Sequence, residues 1–193
     1  MTGAIAVSYA WPQSLTGHML GHAALMSALA PLVALCLVRP GLSLAIPRPH
    51  LGLSTALQIG ALWLLHAPSV LAAVVLHDMI GIAASAGLLV TAVLFWVSIL
   101  DRKSGDRGYA VLALLVTGKL FCLLAALLVF APRPLYSLVC YGSGAGDPLA
   151  AQQLAGLVMI VICPATYVAA GLLIASRMLA DLSRPAGSQG RRA

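Results

Sequence analysis

Residues 51–100 run for fifty positions with one ionised side chain, Asp78. Roughly 20 apolar residues carry a helix across the hydrocarbon of a bilayer. Fifty are too many for one crossing and enough for two. Lipid offers no hydrogen bonds, so each backbone N–H and C=O must be satisfied inside the protein, which a helix does within its own segment. The rest of the chain agrees. It is 61% hydrophobic and 8% charged, and contains no Glu. A soluble domain carries about 25% charged residues. The sequence therefore predicts an all-α, polytopic membrane helical bundle.

Punctuation sets the spans. The first covers about 18–38 and is followed by the proline-rich stretch RPGLSLAIPRPH, residues 39–50. The long run breaks at His66-Ala67-Pro68, because proline pushes the residue before it out of helix. Span two is then about 51–66, with a short connection or interfacial turn over 67–76 and span three over 77–100. The loop DRKSGDRG leads to span four, about 109–131, and a second loop leads to span five, about 148–181, kinked at Pro164. Residues 1–182 form one membrane-embedded helical domain, and 183–193 are expected to be a disordered cytoplasmic tail. The basic n-region of a secretory signal is missing, since the first Lys or Arg is Arg39.

About five transmembrane helices put the two ends on opposite sides. Arg39, Arg48, Arg102, Lys103, Arg107, Arg177, Arg184, Arg191 and Arg192 then share one side, nine in all, against Arg133 alone on the other. Short cytoplasmic loops collect Lys and Arg. The N-terminus is expected outside and the C-terminus in the cytoplasm. The net charge of +6 lies in these loops, which argues against a nucleic-acid partner.

On this topology four of the five histidines reach one level. His18 and His22 open span one, His66 closes span two and His77 opens span three, all at the outer end. His18 and His22 are four apart and share a helix face. Met26 continues their stripe one turn deeper, and Met19 and Met79 flank His18 and His77. Imidazole suits copper and zinc, and thioether sulfur selects Cu(I). Asp78 is a candidate ligand or acceptor beside His77. A single histidine at a helix end is usually an interfacial residue. Four at one depth point further, because polar groups inside a membrane protein are costly and mark function.

Other polar residues read more plainly. Lys119, mid-span, is expected to line the bundle, with tuning of the histidine site through Asp78 as the alternative. Asp147 suits a helix N-cap. Gln152 stands in the first turn of span five, where it can support a ligand. Cys122 and Cys163 lie within spans and read as small hydrophobes. No GxSxG, HExxH or P-loop pattern occurs, and five scattered Asp supply no paired carboxylates. The chain is not expected to be an enzyme.

HMLGH (18–22), WLLHAP (63–68), His77, PRPLY (132–136) and QQLAGLVM (152–159), taken in order, resemble the CtaG family associated with caa3-type cytochrome c oxidase. The resemblance covers about 15–180. Gly21 and Ala151 stand where members often carry Gln and an acidic residue. The resemblance implies a multi-pass protein of a bacterial inner membrane that assembles cytochrome c oxidase. Its implied partners are oxidase subunits, a copper donor protein and membrane lipid. Fusions to copper-resistance domains point to copper as the metal, and His18, His22, His66 and His77 match the motif histidines. Two alternatives remain open: a haem b electron carrier, ligated for example by His22 and His77, and a metal-free scaffold. The orientation has its own check. A membrane-impermeant thiol reagent added to intact cells should label Cys140; labelling only after lysis would invert the topology.

Overall fold

The computed structural model describes residues 14–38, 50–101, 106–136 and 147–183. Six helices follow in order: α1 (Leu15–Leu37), α2 (Leu51–Leu65), α3 (Pro68–Leu76), α4 (Asp78–Leu100), α5 (Arg107–Phe130) and α6 (Pro148–Leu182). No strand occurs among the described residues. Helices α1, α4, α5 and α6 are each long and apolar enough to cross a membrane, and α2 with α3 forms a broken pair that brings the number to five. The protein is a polytopic helical bundle. The expected tail from residue 184 onward, the stretch 39–49 and Cys140 lie outside the described residues.

Local sequence explains the helix ends. Ser14 caps α1, its hydroxyl accepting from the Gly17 N–H at 3.1 Å. Asp147 caps α6 through Leu149 N–H at 3.0 Å, with Pro148 in the first turn, where a missing N–H costs nothing. The break at residue 66 falls where the sequence puts it. Ala67 is extended (φ −62°, ψ 133°), as a residue before proline must be. The segment after it differs from a simple connection. Residues 68–76 form α3, bent by 76° from α2, because Pro68 starts a helix well and SVLAAVVL continues it. Leu71 and Val74 of α3 are buried, and α3 packs on α4. The approach is close at Gly81, where an added Cβ would lie 2.8 Å from the Val74 carbonyl.

Helix α1 contains a feature that the sequence reading does not anticipate. Its turn at Leu25–Leu29 is π-helical, and Ala30 N–H bonds to Leu25 O, five residues back. In that register the next donor, for Met26 O, would be residue 31. Residue 31 is proline and has no N–H. Trp96 of α4 fills the gap, its indole Nε1–H donating to Met26 O at 3.1 Å. A sequence defect in one span is thus mended by a side chain from another. Helix α6 runs unbroken through Pro164.

Cross-links fix which ends meet. Arg107 at the start of α5 pairs with Asp181 near the end of α6 at 2.8 Å. At the opposite end Gln152, early in α6, donates to Leu128 O, late in α5, at 3.1 Å. The two helices are therefore antiparallel. Ser54, early in α2, and Ser98, late in α4, share a hydrogen bond of 2.8 Å. Phe95, Trp96, Phe121 and Tyr167 form an aromatic cluster in the core, and Gln58 donates to the Tyr167 hydroxyl.

Helices α5 and α6 also approach closely, at Gly156. A Cβ there would lie 2.8 Å from Val129 Cγ2 and 2.9 Å from Ala125 O. Small residues permit such approach between membrane helices. Gly156→Ala should lower stability by about 1–3 kcal/mol, the usual cost of overpacking. Gly60, with nothing within 4 Å of an added Cβ, is the control. Thermal unfolding of both variants in detergent checks this; equal midpoints would refute it.

Candidate functional site

Three histidines converge at one end of the bundle. His18 and His22 are one turn apart on α1, with ring centroids 4.2 Å apart. His66, at the end of α2, brings its ring centroid to 5.8 Å from that of His22. All three are buried: His18 is 8% exposed, and His22 and His66 3% each. His18 is the least buried of the three.

His66 is the most constrained. Its Nδ1 lies 2.7 Å from Leu62 O. A carbonyl only accepts, so Nδ1 carries the proton and donates. A neutral ring then has a bare Nε2. That nitrogen faces Met19 Sδ at 3.1 Å. A thioether sulfur has no proton to give. Two electron pairs therefore face each other across this contact. The backbone of His66 is held as well. Tyr136 O–H donates to His66 O at 2.6 Å. Burial pushes the Tyr136 phenol up to about 12, so the donor keeps its proton throughout the neutral range. The loop carrying Tyr136 is anchored in turn by Gln152, whose Oε1 accepts from Leu135 N–H at 2.6 Å.

The α1 histidines are the opposite case. Among the described residues, His18 Nε2 and both ring nitrogens of His22 are buried with no hydrogen-bond partner. Buried polar atoms in folded proteins nearly always have one.

The remaining sequence candidates separate. Met26 is buried one turn below His22, and its carbonyl takes the Trp96 bond. Gln152 is fully buried, but both ends of its amide bond to backbone. It holds a loop. His77 is exposed where α4 begins, with Asp78 and Met79 beside an open surface groove, and makes no ring contact with the other three. Lys119 is exposed on α5, so it does not line the bundle as expected. Cys163 is buried and Cys36 exposed, both as free thiols. Among the described residues no three His, Cys, Asp or Glu side chains come close enough together to hold a metal ion. The donor that joins the histidines is the Met19 sulfur.

Two partners were hidden in the sequence. Met19 reads as a flank of His18, yet it touches His66. Tyr136 ends the PRPLY motif, and its role becomes visible only when the loop folds over the α2–α3 break.

Comparison with known proteins adds one finding. A family model described as cytochrome c oxidase caa3 assembly factor (Caa3_CtaG) matches residues 2–181. No curated protein and no solved structure gives a significant match.

Tyr136→Phe removes the only donor to His66 O found among the described residues and leaves a buried carbonyl unpaired. Such a loss costs about 1–3 kcal/mol. The variant should unfold at lower temperature and exchange the amides of residues 64–67 faster. Unchanged exchange there would show that the hydroxyl does not hold the break.

Proposed function

We propose how this protein works from the fact that it belongs to the CtaG family of caa3-type cytochrome c oxidase assembly factors. It acts in a bacterial inner membrane, with its N-terminus outside. Its part in assembly is to hold copper and pass it to an oxidase subunit at the outer face. The copper is cargo, so the protein makes and breaks no covalent bond.

The observation that carries this reading is the Met19–His66 contact beside the unpartnered imidazoles. Two lone pairs 3.1 Å apart are a poor arrangement until a cation shares them. Imidazole nitrogen with thioether sulfur, without a carboxylate, is a soft donor set that favours Cu(I) over harder ions. As the structure stands, His66 and Met19 are the pair that would hold the ion, and His18 and His22 would have to close inward to complete its shell. His77, on the surface at the start of α4, suits a handover position better than a place in the same shell. Leu62 O fixes which His66 nitrogen is free, and Tyr136 and Gln152 keep that ring in place. His18, the least buried of the three, would be the first that an incoming donor protein meets. The alternative of haem b finds less support. The rings of His18, His22 and His66 pack on one another, which leaves little space for a macrocycle between them.

Purified protein loaded with Cu(I) under reducing conditions tests the proposal. Wild type should retain copper, the His18→Ala/His22→Ala variant should lose most of it, and Met19→Leu should weaken Cu(I) at least tenfold while affecting Zn(II) less. Equal copper in wild type and the double variant would remove the metal reading in favour of a scaffold. A Soret band in the purified protein would favour haem. In cells, deletion should yield an oxidase that keeps haem and lacks copper.

A further inference from the structure

Lys119 is twelve residues after Arg107 and eleven before Phe130, at the centre of α5. At 1.5 Å per residue its Cα is about 18 Å and 16 Å from the two helix ends. Both distances exceed what a lysine's four-carbon stem covers by snorkelling. The side chain is exposed, on the same face as Leu112, Leu115, Val116, Leu123 and Leu127, which are exposed too. It is one ammonium in the middle of an apolar stripe. Among the described residues no hydrogen bond or ion pair reaches it.

A charge at this depth needs a partner, because lipid solvates it poorly. The chain cannot supply a carboxylate. It has five acidic residues, Asp78, Asp101, Asp106, Asp147 and Asp181, and no Glu. Each stands at or next to a helix end. A second copy of this chain offers the same five positions and fails for the same reason.

We propose that the Lys119 face of α5 docks a transmembrane helix of another protein, one that carries an aspartate or glutamate at mid-membrane depth. The ammonium and the carboxylate solvate each other, and Leu115 and Leu123 pack on either side. Ionisable residues within membrane spans face protein partners rather than lipid, and a single such pair also sets depth and register between the helices. The surface is separate from the histidine group. It stands or falls independently of copper.

A photo-cross-linking amino acid at Leu115, and separately at Leu123, in the full chain in its own host membranes tests this. The expected adduct joins a membrane protein whose cross-linked span contains a mid-depth Asp or Glu. Lys119→Leu should reduce it at least tenfold, with the variant inserted at normal level and its copper content unchanged. Lys119→Glu combined with exchange of the partner's carboxylate for lysine should restore it. Adducts to lipid alone, to a second copy alone, or to a span without a carboxylate would overturn the proposal. So would an adduct that Lys119→Leu leaves intact.

Discussion

Everything in this bundle follows from the lack of water to satisfy a backbone group that leaves its helical partner. Proline forces such departures at several places, and at two of them, Pro31 and Pro68, other groups of the chain close the gap. At Pro31 the open carbonyl is Met26 O, and the indole of Trp96 reaches it from α4. At Pro68 the chain turns through 76°, and three groups do the closing. Ala67 N–H takes Leu64 O, the His66 ring takes Leu62 O, and Tyr136 takes His66 O. The end of α5 repeats the pattern, with Gln152 on Leu128 O. These bonds tie α1 to α4, α2 to the 131–136 loop and α5 to α6. The tertiary structure is in large part the sum of these repairs.

Set beside this economy, the histidines of α1 are the densest exception: of seven buried side-chain nitrogens and oxygens without a partner among the described residues, three are theirs, and Ser27, Gln58, Trp63 and Thr117 hold one each. Those three ring nitrogens are buried on adjacent turns of one helix. His66 lies between the two cases, with one nitrogen spent on structure and the other turned toward sulfur. A group that mends its carbonyls with distant tryptophans and tyrosines yet leaves three imidazole nitrogens bare is organised around something besides its own folding. That contrast, more than the number of histidines, singles out this end of the molecule.

The sequence revealed depth and concealed azimuth. Span length, the proline at 68 and the distribution of Lys and Arg placed His18, His22, His66 and His77 at one end. Alternation of helix direction then needed nothing more. Which way a side chain points around its helix is a different question. A helix that is apolar on all sides carries no stripe to orient it. So His77, at the right end, turned out to face the surface. Lys119, read as lining the bundle, faces outward. The pairing of Met19 with His66 crosses 47 residues and depends on how α1 rotates against α2. The π turn escaped notice because Pro31 sits inside an otherwise good span, and only the register of the bond before it reveals what that proline removes.

Helix α2 has fifteen residues and so rises about 22 Å, well short of a hydrocarbon layer of roughly 30 Å. A bilayer meets such mismatch by thinning locally. Helix α3, bent away at 76°, spreads the shortfall sideways instead of extending the span. A bilayer that thinned to match α2 would bring water, and any soluble protein working at its surface, toward the level of three buried rings without the rings having to rise.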